Sequence, residues 1–199
     1  MLTLSPELYI GRGYHRECYI HPSQPDRCVK VVVNGDDSET KREVSYYHKL
    51  IKRNIDWKML PRLHDQIETN KGKGTVFDLI LDYNGEVSKP LSYYLNSIEL
   101  TTYHAEDFPK AFRQFSEYLL SEKILTMTIK PKNILYRLTT ATEGHLILVD
   151  NIGNSDLIPI CDYSTFFAQL KIARKLNRFK KLLRKLYPKN TVLQSILIE

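Results

Sequence analysis

Gly11 and Gly13, Lys30, Glu43, Thr128, Lys130, Asn133 and Asp150 are the residues of this chain whose types and settings could do chemistry together. The pair Gly11-Arg12-Gly13 lies between two strand-like stretches, where glycines let backbone N–H groups approach a phosphate. Its alternative is a plain hairpin turn, and Arg16 stands where a third glycine of such a loop is often found. Lys30 sits in the apolar run CVKVVV, and a lysine there is costly unless its ammonium has a partner. The alternative is an edge strand with Lys30 facing water. Glu43, on the helix that follows, could supply that partner, with Glu39 as a second choice; otherwise it is solvated surface. Asn133 offers an amide oxygen and Asp150 a carboxylate, hard ligands suited to Mg²⁺. Read alone, Asp150-Asn151 is equally a turn after a strand.

The elements that must position these groups follow from periodicity and breakers. Leu8 to Ile20 reads as two short strands around the glycine turn, and His21 to Arg27 as turn chemistry. Cys28 to Val33 is a buried strand. Ser38 is the expected N-cap of a helix over Glu39 to Ile51, with Val44, Tyr47, Leu50 and Ile51 on one face. Pro61 to Thr69 and Thr75 to Leu81 form a hairpin around Asn70 to Gly74. Tyr83-Asn84-Gly85 breaks the pattern as a hinge. Helices are expected over Ser92 to Leu100 and Asp107 to Lys123, then strands over Ile134 to Leu138 and Leu146 to Val149. Tyr163 to Tyr187 is helical again and stops at Pro188.

Glycine turn, strand lysine, helix glutamate, hairpin, hinge, helices, Lys130-Pro131-Lys132-Asn133, strand, aspartate: that is the part order of protein kinases, and the chain resembles them. In detail it is similar to the YrbL family, small bacterial kinase-like proteins named for the PhoP regulatory network. Five stretches carry the likeness: GRGYHRECYIHP (11–22), RCVKVV (27–32), KREVSYYHKL (41–50), TMTIKPKNIL (126–135) and VDNIGNSDLIP (149–159). The resemblance implies an α+β, two-lobed protein-kinase-like fold with a shortened helical C-lobe. It implies a single domain over 1–199, with a β-rich N-lobe over 1–83 and a mostly helical C-lobe over 84–199. It also implies ATP and Mg²⁺ as cofactors. Gly11 and Gly13 match the phosphate-covering loop, Lys30 the strand lysine, Glu43 its helix partner, and Asn133 and Asp150 the metal ligands. Lys130 and Thr128 fall in the catalytic loop.

The departures bear on activity. The usual His-Arg-Asp triplet falls on Thr126-Met127-Thr128, so the catalytic aspartate is replaced by Thr128. Asp-Phe-Gly becomes Asp150-Asn151-Ile152, with Gly153 one place late, and no Ala-Pro-Glu segment follows. A threonine hydroxyl is no general base near neutral pH, and that help is typically worth about 10²–10⁴-fold. Phosphoryl transfer nevertheless depends mostly on positioning and charge neutralisation. Three outcomes stay open: transfer of the γ-phosphoryl group to an unidentified acceptor, transfer with a base from elsewhere such as Asp156, or a pseudokinase acting as a regulatory binding module.

Bulk composition bounds the rest. Apolar residues at 42% and charged residues at 26% describe a globular chain able to bury a core. No apolar run reaches membrane-spanning length and no secretory signal opens the sequence, so the expected location is the cytoplasm. Cys18, Cys28 and Cys161 form no Cys-x-x-Cys pair, which fits a reducing compartment. The charge is uneven: residues 171–189 hold nine basic residues and no acidic one, while the whole chain is +6. A helix here with Ile172, Leu176, Phe179, Leu183 and Leu186 on one stripe either packs that stripe and wets its charges, or meets an anionic surface.

Overall fold

The computed structural model describes residues 1–154 and 164–197. The chain divides into two compact units, Met1–Trp57 with Pro61–Leu81, and Lys58–Leu60 with Asp82–Glu199. Among the described residues no helix is long and apolar enough to cross a membrane.

The first unit is a five-stranded antiparallel sheet and one helix. Its strands are β1 (Tyr9–Arg12), β2 (Arg16–His21), β3 (Gln24–Val32), β4 (Leu63–Thr69) and β5 (Gly72–Asp78), in the order β1-β2-β3-β5-β4. Successive side chains of a strand alternate between faces. On β3 this sends Val29 and Val31 to one side, where they bury with Leu4, Tyr19 and Val76. Cys28 and Lys30 go to the other side, which takes α1 (Ser38–Lys52) through Tyr47 packed edge-on against Phe77 at 5.2 Å. The expected turn over His21 to Arg27 is much shorter. β3 begins at Gln24, and the Ser23 amide, 3.3 Å from His21 Nδ1, closes the turn in two residues. Ser38 opens α1 rather than capping it; its amide donates to Asp36 Oδ1 at 2.9 Å.

The second unit holds a three-stranded sheet, β6 (Lys89–Pro90), β7 (Ile134–Leu138) and β8 (Gly144–Leu148), in the order β6-β7-β8. Its described helices are α2 (Leu91–Leu95), α3 (Ile98–Tyr103), α4 (Phe108–Ser121), α5 (Thr165–Leu186) and α6 (Thr191–Ile196). The fully buried Tyr136 is its hub, with Phe108 at 5.0 Å and Tyr94 and His104 at 5.1 Å. Its hydroxyl donates to Asp107 Oδ2 at 2.6 Å, an oxygen that also accepts from the Gly144 amide at 3.0 Å. Burial, then the Asp107 carboxylate, push that hydroxyl far up, so it stays a donor. Gly144 is required here because a Cβ would lie 2.5 Å from the Arg137 carbonyl oxygen and 2.8 Å from the Tyr136 ring.

The helix expected over Ser92 to Leu100 is two helices. Ser97 interrupts it because its Oγ accepts from the Leu100 amide at 3.1 Å, starting a new first turn. A helix also forms beyond Pro188, nucleated by Asn190. Its Oδ1 accepts from Leu193 N at 3.0 Å, while Nδ2 donates to Leu95 O at 3.0 Å and Thr101 Oγ1 at 2.7 Å. Asn190→Ala removes a cap and leaves buried acceptors unpaired. We expect a loss of about 2–3 kcal/mol, read as a fall of roughly 4–12 °C in thermal midpoint. A midpoint within a degree of wild type would mean that the cap does not anchor α6.

Candidate functional site

On the first unit, Lys30 lies in the central strand β3, which rules out an exposed edge strand. It is half-buried, with Nζ 4.7 Å from the centroid of the Phe77 ring, a cation–π contact. The register pairs Arg16 with Val32 and Cys18 with Lys30. Directly paired residues share a face, so Arg16, Cys18 and Lys30 all lie on the side covered by α1. Cys28 is on that side too. Its thiol, held by a hydrogen bond with Cys18 and by burial, is pushed up and stays protonated, a packing group rather than a nucleophile.

Glu43 is buried at 2% exposure. The sequence pairs it with Lys30, but the structure pairs it with Arg16, whose Nη1 donates to Glu43 Oε2. The Glu43 Oε1 atom is buried without a hydrogen-bond partner. The cause is register: β2 brings a longer, five-donor cation to the same face as Lys30. Glu39, the other carboxylate considered, lies 3.7 Å from His15 on the outer part of the helix.

The glycine turn has a mixed character. Neither Gly11 nor Gly13 has a positive φ, and a Cβ on Gly11 would meet nothing within 4 Å. The fold itself therefore does not demand glycine at these positions, which leaves room for a close approach from outside. The Gly13 amide, however, is committed to the turn, donating to Arg16 O at 2.8 Å.

On the second unit, the loop after α4 and the segment that follows β8 are laced together. Met127 N donates to Asn151 O at 2.9 Å, Gly153 N to Leu125 O at 2.9 Å, and Thr126 Oγ1 to Asn151 O at 2.8 Å. Val149 N donates to Asn133 O at 3.0 Å, so Asn133 and Asp150 lie on neighbouring backbones. Asn133 is buried and ends the 3₁₀ turn Pro131–Asn133 that leads into β7, while Asp150 is half-buried with Oδ1 accepting from Asn151 N at 2.9 Å. Thr128 and Lys130 are exposed. Asn151 adopts φ +61°, a left-handed conformation that asparagine tolerates better than most residues. Its Nδ2 donates to Thr128 Oγ1 at 3.0 Å.

Three contributors were not legible as such in the sequence: Asn151, Lys171 and Lys175. Lys171 Nζ donates to Asn154 Oδ1 at 2.6 Å, and Lys175 Nζ donates to the Met127 carbonyl oxygen. One turn apart on α5, these two lysines hold both sides of the laced loops. Their four-residue spacing was visible, but it did not single them out within a segment dense in cations. Asp156, considered as an alternative base, lies outside the described residues. Among the described residues no cluster of three or more His, Cys, Asp or Glu gathers for a metal. Asn133 and Asp150 fit a Mg²⁺ that takes few protein ligands and completes its shell with phosphate and water.

The model of the family described as PhoP regulatory network protein YrbL matches residues 2–186. The "Uncharacterized protein YrbL" of Escherichia coli (strain K12) is 36% identical over 185 residues, covering 90% of this chain and 86% of that protein. The protein of the same name from Shigella flexneri matches to the same extent. Among solved structures, a chain of the CAK complex from Chaetomium thermophilum bound to ATP-γ-S superposes with a TM-score of 0.52 at 17% identity. That match covers 72% of this chain and 44% of the other, so this chain spans less than half of its length, and the likeness is one of fold. The chain therefore belongs to the YrbL family of PhoP regulatory network proteins, and its mixed α+β fold is protein-kinase-like.

Proposed function

We propose that this protein binds ATP with Mg²⁺ and that its phosphoryl-transfer chemistry is slow because the catalytic loop has no general base. The observation that carries this reading is the placing of Asn133 and Asp150, two oxygen donors of hard-ligand type, on backbones joined by the Val149–Asn133 hydrogen bond. Lys30, a half-buried cation on the central strand, is the group offered to the nucleotide's phosphates. Lys130, exposed on the loop, is offered to the transferring phosphoryl group. Gly11 and Gly13 give room for the phosphates to approach the turn. The acceptor is a small molecule or protein that these residues do not identify.

A second reading, a pseudokinase serving as a regulatory binding module, is favoured by one observation. The residue in the place of the base, Thr128, has a hydroxyl that accepts from Asn151 Nδ2. A hydroxyl so engaged orients the loop without removing a proton.

Thermal unfolding with ATP and Mg²⁺ tests the binding claim. At about 100 times the dissociation constant, a ligand of the native state adds roughly 2.7 kcal/mol, which is about 5–10 °C for a chain of this size. We expect this rise to need Mg²⁺ and to vanish in Asp150→Ala. No rise at large nucleotide excess would end the nucleotide reading.

A further inference from the structure

Helix α5 has two unlike faces. Ala168, Ile172, Phe179 and Leu183 are buried along one side. Arg174, Arg178, Lys181 and Lys185, spaced by one helical turn each, are exposed on the opposite side. At about 1.5 Å per residue that row runs roughly 16 Å. No acidic residue occurs between Lys171 and Lys189 to neutralise it. Among the described residues none of the four is engaged in an ion pair, whereas Lys171 and Lys175 turn inward to the loops. The amino-terminal end of the same face carries exposed apolar side chains: Leu170 at 44%, Phe167 at 49% and, beside them, Phe166 at 69%.

We propose that this face of α5 docks on an anionic lipid bilayer, with the cation row against the headgroups and Phe166 and Leu170 at the acyl boundary. A basic row that ends in apolar side chains combines the two attractions that hold a helix in the plane of a membrane surface. The apolar end also distinguishes lipid from nucleic acid. Leu170 has no π face, and Phe166 and Phe167 meet edge to face at 72°, so they form no parallel platform for bases. This docking does not rest on the nucleotide reading, because none of the residues named here is assigned to it.

Sedimentation of the full chain with sucrose-loaded vesicles tests the proposal. The vesicles are phosphatidylcholine alone, or phosphatidylcholine with about 30% phosphatidylserine to supply the negative surface potential. Binding is expected to the second and not to the first. The fourfold variant Arg174→Gln, Arg178→Gln, Lys181→Gln, Lys185→Gln should bind at least about 100-fold more weakly. The pair Phe166→Ser with Leu170→Ser should abolish whatever binding survives at high salt. All six positions are exposed, and an unchanged thermal midpoint confirms that each variant is folded. No sedimentation with anionic vesicles, equal binding by the fourfold variant, or binding to duplex DNA without binding to vesicles would each overturn the proposal.

Discussion

If the chain turns ATP over as proposed, Thr128→Asp is expected to raise the rate at which ATP with Mg²⁺ is hydrolysed to ADP and phosphate, with water as the acceptor, by about 10²-fold, the lower end of what general-base help supplies. Thr128 is exposed at the head of the laced loop, so a carboxylate fits there without burial. The amide of Asn151, now donating to Thr128 Oγ1, would donate to the new carboxylate and hold its orientation. The lower end is expected because the transition state of phosphoryl transfer is loose, and a base has less to do than in acyl transfer. The measurement is steady-state ADP release by wild type and variant, together with the ATP-dependent thermal shift of each. A variant that binds ATP as wild type does and is no faster would show that the base is not what limits turnover. The binding-module reading would then stand.

Arg16→Ala lowers stability by about 3–5 kcal/mol, a fall of roughly 6–20 °C in thermal midpoint. The guanidinium side chain is 10% exposed and the Glu43 side chain 3%. Removing the arginine strands a buried carboxylate whose other oxygen, Oε1, already has no hydrogen-bond partner. The cost is that of an uncompensated buried charge rather than the worth of one ion pair. The double variant Arg16→Met with Glu43→Leu should therefore recover most of the loss, since apolar groups of similar volume replace buried pairs at little cost. Lys30→Met should fall by much less than Arg16→Ala, because Glu43 keeps its partner. Equal falls for Lys30→Met and Arg16→Ala would show that the two cations share the carboxylate.

Much of the fold could be read from local signals. CVKVVV announces β3 through β-branched residues, and Asn34-Gly35 ends it through turn chemistry. Val44, Tyr47 and Leu50 give α1 its buried stripe at helical spacing. The misread pieces are those where a side chain outbid the pattern. Ser97 captures an amide and splits one helix into two, and Asn190 starts a helix past a proline because the packed unit buries its amide group. Propensity and periodicity describe a residue's neighbours in sequence. They say nothing of Leu95 and Thr101, which complete the Asn190 site from far along the chain.

The sequence by itself determined the identity and order of the groups: a lysine within an apolar strand, a helix glutamate, a loop asparagine, an aspartate after a strand, and a threonine where the kinases it resembles carry an aspartate. Residue types and local periodicity give each of those groups its setting, and their order along the chain is what makes it resemble kinase-like proteins. Tertiary structure alone decided which groups are partners. Strand register puts Arg16 on the face of α1, so Glu43 meets Arg16 and not Lys30. The packing of α5 sends Lys171 and Lys175 to the loops and leaves Arg174, Arg178, Lys181 and Lys185 to solvent, though all six look alike in sequence. The physical reason is the same in both cases. A charge's role depends on which surface it is buried against, and that is settled by contacts between distant segments, not by spacing along one of them.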